Sequence, residues 1–165
     1  MKLADALFQG GIRCFEITYD PSDPDTCTKV KENIQALHAQ FGDELYLGIG
    51  TVLTKEQVHN AKEAGARFIV SPNFDEEIVK ETLALDMVSM PGCMSPTEIV
   101  AADKAGADFI KLFSGRNTGY QILQGYLCTA ASCEIHCDSR RYGRNLCAIP
   151  EAWIHRCRYQ LPAGR

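Results

Sequence analysis

Lys111 stands inside the short apolar run Asp108-Phe109-Ile110-Lys111-Leu112-Phe113. A run of this length and composition reads as a buried strand. An ammonium group taken out of water must be paired or lose its proton. The neutral amine that results is a nucleophile toward a carbonyl carbon. The bland alternative is a lysine whose stem lies on the apolar run while its charge reaches solvent. A second group bears on the choice. Glu16 lies between Phe15 and Ile17 in the strand-like stretch from Arg13 to Tyr19, the one carboxylate so enclosed. It either pairs with a buried lysine or serves as a general acid/base. A neutral lysine attacks a ketone to give an imine. The protonated imine draws electrons from a carbon–carbon bond two atoms away while the carboxylate moves the protons. Such chemistry needs neither a metal nor an organic cofactor.

These residues must be held by strands, and the chain supplies them regularly. Strand-like runs cover Arg13–Tyr19, Leu45–Gly50, Arg67–Val70, Met87–Met90 and the Lys111 run. Helical patterns fall between them. Thr26 to Phe41 carries Val30, Ile34, Leu37 and Phe41 at helical spacing. Thr54-Lys55-Glu56-Gln57 and Ser95-Pro96-Thr97-Glu98 are capping boxes that open helices. Asp75 to Leu85 is a further helix. Met1 to Gln9 is another, with Leu3, Ala6 and Leu7 on its apolar face, and Gly10-Gly11 ends it.

Glu63-Ala64-Gly65-Ala66-Arg67-Phe68-Ile69-Val70 recurs 41 residues later as Lys104-Ala105-Gly106-Ala107-Asp108-Phe109-Ile110-Lys111, so Lys111 replaces Val70 in an equivalent strand. Strands alternating with helices pair in parallel through right-handed crossovers. Strand ends at Thr51, Ser71, Pro91 and Lys111 fall 20 residues apart. Such even units favour a (β/α)8 barrel of the TIM type over an open doubly wound sheet, and Gly48-Ile49-Gly50-Thr51 lacks the third glycine of a dinucleotide fingerprint. Five strands make the expected barrel incomplete. In a barrel, residues at the carboxyl ends of strands form the site. Glu16 and Thr18 share a face of one strand, and Lys111 and Phe113 share a face of another. Thr51, Ser71 and the backbone near Pro91-Gly92 are candidates to hold a substrate carboxylate, and Thr18 is a further candidate for substrate binding. Taken singly, Thr51, Ser71-Pro72 and Pro91-Gly92 read equally well as turns.

Among the 165 residues the formal net charge is −4, so nothing favours nucleic acid or an anionic membrane. No apolar stretch is long enough to span a bilayer. The start lacks the apolar core of a signal peptide, and a cytoplasmic location is expected.

The last fifty residues break the pattern. Up to Gly115 there are eight lysines and two arginines, and from Arg116 seven arginines and no lysine. Five of the eight cysteines, Cys128, Cys133, Cys137, Cys147 and Cys157, crowd there. Neither strand nor helix periodicity holds from Cys128 to Arg144. Only 120–126 and 149–157 have the pattern of short helices. The expected division is residues 1–115, a partial barrel, and 116–165, an atypical Cys- and Arg-rich tail whose composition suggests a different origin, such as a segment read in another frame. The cysteine gaps lack the paired Cys-x2-Cys spacing of zinc sites, so no metal is expected.

Gly10-Gly11-Ile12-Arg13-Cys14-Phe15-Glu16-Ile17-Thr18, Gly48-Ile49-Gly50-Thr51-Val52-Leu53-Thr54, Phe68-Ile69-Val70-Ser71-Pro72, Met90-Pro91-Gly92 with Ser95-Pro96-Thr97-Glu98, and Phe109-Ile110-Lys111-Leu112-Phe113 appear in this order over residues 1 to about 115. Together they resemble the 2-keto-3-deoxy-6-phosphogluconate / 4-hydroxy-2-oxoglutarate aldolases, class I aldolases on a (β/α)8 barrel. The resemblance implies that Lys111 forms the imine and that Glu16 is the general acid/base. It implies that Thr51 contacts the pyruvate carboxylate, with Pro72 and Phe113 lining the pocket. It implies a small 2-keto acid substrate, pyruvate plus glyceraldehyde 3-phosphate or glyoxylate as products, and a homotrimer if the barrel is complete. Three departures stand out. Asp20 replaces an arginine that many members carry. The family's first strand falls before Met1, and its Thr-Gly-Gly and Gly-Gly-Ser phosphate turns are missing after Gly115. Two other readings stay open: a truncated, catalytically silent relative, and a small α/β module whose Cys-rich tail binds a metal or a partner.

Overall fold

The structure, a computed structural model, describes residues 2–112 and the short strand 134–137. The elements alternate as the sequence predicts: α1 (Lys2–Gln9), β1 (Cys14–Thr18), α2 (Thr26–Phe41), β2 (Tyr46–Gly50), α3 (Lys55–Ala64), β3 (Phe68–Val70), α4 (Glu76–Ala84), β4 (Val88–Met90), β5 (Gly92–Cys93), α5 (Pro96–Lys104), β6 (Phe109–Leu112) and β7 (Glu134–Cys137). A 3-10 turn over Gly42–Glu44 follows α2.

Their boundaries have local causes. Thr54 and Ser95 each accept the N–H of the residue three on, and Gln57 and Glu98 return the bond to the cap's own N–H. Asp75 caps α4 through the N–H groups of Glu77 and Ile78. Gly65, at φ 93°, closes α3 in the left-handed region that a side chain would resist. One expectation shifts. In α1 the covered side is Ala4 with Leu7 and Phe8, while Leu3 is 71% exposed and Ala6 is exposed. Phe8 turns the helix, because its ring packs 4.8 Å from Phe41 and lies under the Arg13 guanidinium at 3.9 Å.

Strands β1-β2-β3-β4 pair in parallel in that order, and β5-β6-β7 do likewise. The two groups form one continuous surface. The Asp108 N–H donates to the Ser89 carbonyl at 3.2 Å, and the Lys111 N–H to the Pro91 carbonyl at 3.0 Å. The Asp108 carboxylate accepts the Ser89 N–H at 2.9 Å. Pro91, without an N–H to give, separates β4 from β5. Pro91-Gly92 is therefore a break within a strand rather than a turn. Among the described residues β1 and β7 do not pair with each other. Strand β7 corrects the sequence reading, which found no periodic element between Cys128 and Arg144. It is four residues long and is ordered by its parallel register on β6, a long-range contact that periodicity cannot reveal. The patterns read over 120–126 and 149–157 lie outside the described residues.

Side-chain alternation divides the sheet into two faces. Phe15, Ile17, Leu47, Ile49 and Ile69 pack with Val30, Ile34 and Leu37 of α2 and with Val58 and Ala61 of α3. Ile110 and Leu112 pack with Val79, Ile99 and Ala102 of α4 and α5. The helices thus cover one face. On the opposite face Cys14, Tyr46, Phe68, Val70 and Phe109 form their own cluster with Val88 and Met90. Parallel strands with helices on one side and an apolar layer on the other are the arrangement of a barrel wall and its interior.

Candidate active site

The cluster on the helix-free face places the two groups that could do chemistry. Cys14 precedes Glu16 by two residues and Phe109 precedes Lys111 by two, and both belong to that cluster. Glu16 and Lys111 therefore stand on the same face, each two residues nearer the carboxyl end than the cluster residue of its own strand. The sheet runs from the strand of one to the strand of the other through β2, β3 and β4.

Lys111 is partly buried. Its backbone is fixed on both sides, in register with Gly92 of β5 and His136 of β7. Glu16 departs from the expected buried carboxylate, for it is exposed. The reason lies in its neighbours. Glu16 is in register with Gly48, and Thr18 with Gly50, so β2 offers no side chain on this face to cover it. The Glu16 side chain instead lies over Gly50. A Cβ built there would come within 1.8 Å of Oε1 and 2.7 Å of the carboxylate carbon. At Gly48 a Cβ would meet the Phe68 ring at 2.2 Å. Sequence reading weighs both glycines as a dinucleotide fingerprint and as part of the family resemblance, and does not connect them with Glu16. Their place beside Glu16 shows only once the β1–β2 register is known.

The other candidates collect at the same end of the sheet but are unequally open. Thr18 is exposed and Thr51 and Pro72 are half-buried. Ser71 is 3% exposed, and Pro91 and Gly92 are buried. Phe113 lies outside the described residues. Thr51 adopts φ 60°, a left-handed conformation that costs a β-branched residue roughly 1–3 kcal/mol and that persists where surrounding contacts impose it. Here the imposing contacts are on the next two residues. Val52, fully buried, donates its N–H to the Val70 carbonyl at 3.3 Å, and Leu53 donates to Gln57 Oε1 at 2.7 Å. Gly92 permits a close approach of another kind, because a Cβ there would lie 2.3 Å from the Pro72 carbonyl oxygen. Asp20 sits just past Thr18. Hydrogen bonds from the Ser22 hydroxyl and N–H hold its carboxyl below the usual range, so it is an anion in the position discussed above for an arginine.

No group of three or more His, Cys, Asp or Glu side chains able to hold a metal occurs among the described residues. Most of the tail cysteines fall outside them. No helix of the described residues is long and apolar enough to cross a membrane.

A parallel sheet with helices on one face, and a lysine and a carboxylate on the other near the carboxyl ends of its strands, defines the class of α/β proteins of (β/α)8 barrel type with a polar site at the strand ends. The chain belongs to the KDPG and KHG aldolase family, whose model matches residues 1–135, past Gly115 where the sequence resemblance ended. The 2-dehydro-3-deoxy-phosphogluconate aldolase of Treponema pallidum (strain Nichols) is 40% identical over 119 residues, covering 72% of this chain and 53% of that protein. A native KDPGal structure superposes with a TM-score of 0.71 at 27% identity, over 80% of this chain and 62% of that one. The KDPG aldolase of Legionella pneumophila, with pyruvate captured at low pH as a covalent carbinolamine intermediate, gives a TM-score of 0.69 at 28% identity, over 81% and 62% respectively. The chain spans about half the length of the curated relatives it matches.

Proposed function

We propose that this chain carries the chemistry of a class I aldolase. It cleaves a 2-keto-3-deoxy-6-phosphosugar acid or 4-hydroxy-2-oxoglutarate to pyruvate and an aldehyde through an imine on Lys111. What supports the reading is the placement of Lys111 and Glu16 on one face, away from the helices, in a family with a relative that captures pyruvate covalently. The Lys111 amine adds to the C2 ketone and water leaves. Glu16 takes the proton of the C4 hydroxyl as the C3–C4 bond breaks. The bonding electrons pass to the imine nitrogen, and the aldehyde departs. The resulting enamine regains a proton at C3, and water then releases pyruvate and restores the amine. No cofactor enters these steps.

Thr51 would hold the substrate carboxylate, with Thr18, Ser71 and the Pro91-Gly92 backbone beside it and Pro72 and Phe113 lining the pocket. Residues 1–115 would form the catalytic part and 116–165 a segment with another history. The working form would be a homotrimer with a closed barrel, in the cytoplasm.

Incubation with pyruvate and borohydride, followed by peptide mass analysis, tests the reading. A stable adduct on Lys111 is expected. Lys111→Ala abolishes it, whereas Glu16→Gln retains it and slows turnover by about 100-fold or more. A folded protein that traps no pyruvate would instead be a catalytically silent member of the family.

A further inference from the structure

Glu16 is level with Gly48 in the β1–β2 register, yet its carboxylate lies over Gly50, one pleat closer to the carboxyl end of β2. Two observations account for the displacement. The space above Gly48 is taken by the Phe68 ring, whose Cδ2, Cε2 and Cζ atoms lie 2.2–2.3 Å from where a Cβ would stand. The space above Gly50 holds nothing nearer than the Glu16 side chain itself, at 1.8 Å for Oε1, 2.7 Å for Cδ and 3.0 Å for Cγ. One glycine seats an aromatic ring from β3 and the next seats a carboxylate from β1. The direction of the shift matters. Gly50 is level with Val70, and Val70 with Met90, while Lys111 is level with Gly92, two residues beyond Met90. Raising the carboxylate from Gly48 to Gly50 moves it toward the end of the sheet at which Lys111 stands.

We infer that Gly50 is a positioning residue: by lacking a side chain it provides the seat that aims the Glu16 carboxylate at the strand ends, with Phe68 on Gly48 closing off the lower alternative. The inference rests on the aldolase reading for its catalytic meaning, but the seat itself is a contact that can be tested without catalysis. Gly50 is not in the left-handed region, so alanine is conformationally allowed there. Its methyl would take the place of the Glu16 carboxylate and force that exposed side chain to swing away.

A cycle of Gly50→Ala, Glu16→Ala and the double variant, made in the full chain, separates the possibilities. Thermal midpoints report the seat. Gly50→Ala is expected to change the midpoint less favourably when Glu16 is present than in the Glu16→Ala background, where the methyl displaces no carboxylate. An equal change in both backgrounds overturns the seat. Two further readouts address positioning. Borohydride trapping of pyruvate reports the amine, and exchange of pyruvate methyl protons for deuterium, followed by NMR, reports the acid/base. Gly50→Ala should keep trapping and slow exchange about 100-fold, with no further slowing once Glu16 is alanine. Unchanged exchange, or trapping and exchange lost together, overturns the positioning role. If the unaltered chain traps no pyruvate the aldolase reading fails, and the midpoint cycle still decides whether Glu16 is seated on Gly50.

Discussion

Lys111 and Val70 occupy equivalent places in a 41-residue repeat, and the contrast between them is chemical rather than architectural. Val70 is 3% exposed within the apolar layer of the helix-free face, while Lys111 is partly buried one pleat above Phe109. The substitution exchanges packing for an amine on a strand bonded on both sides. Nearby, Tyr19 shows what burial does to a titrating group at this end of the sheet. It is 3% exposed. Its removal from water, and to a lesser degree the neighbouring Cys27, push its phenol up to about 12 from an ordinary 10.0. The folded state therefore holds the proton longer than the unfolded chain does. The stability tied to the neutral phenol is complete below pH 10.0 and is lost as the pH climbs toward about 12. Tyr19→Phe also removes a hydrogen bond to the Gln57 carbonyl, so slopes are the proper comparison. Thermal melts should show the unaltered protein losing stability more steeply than Tyr19→Phe across that alkaline interval.

At the scale of elements, two matching capping boxes set the helices that follow β2 and β5. Thr54 with Gln57 and Ser95 with Glu98 use the same bonds, and each also fixes the residue before the cap: the Leu53 N–H on Gln57 and the Met94 N–H on Glu98. Glu98 is the charged one. The Met94 N–H, then the Ser95 hydroxyl and N–H, hold its carboxyl below the ordinary 4.5. Its contribution is present above that value and is lost as the pH falls through the depressed folded value. Glu98→Ala should cost about 1 kcal/mol at neutral pH, read as a lower thermal midpoint, with the difference shrinking in acid.

These boxes, like the Val30/Ile34/Leu37 stripe and the Gly65 stop, were legible in the sequence because each is a local pattern with a local cause. What sequence missed was set by contacts across the sheet. The rotation of α1 comes from Phe8 on Phe41, and β7 exists through its pairing with β6. Lys111 and Glu16 could be singled out as chemically odd residues on strands. Their common face followed from parity only once the register was known. The exposure of Glu16 came from two glycines on a neighbouring strand, which no reading of its own strand could supply.

At the scale of the molecule, the described residues form a wall in which the strands carrying Lys111 and Glu16 are differently buried. Strand β6, with Lys111, is bonded to β5 on one side and β7 on the other. Three of its four residues are buried, whereas in β1, with Glu16, both Glu16 and Thr18 are exposed. A strand end with few buried side chains opens before a strand buried along its length. Under mild denaturant, hydrogen exchange should release the amides of residues 16–18 before those of 109–112. On the proposed aldolase reading, between those two events the protein would still capture a ketone yet have lost the means to shuttle its protons. Its first failure on the way to unfolding would be one of turnover and not of substrate recognition.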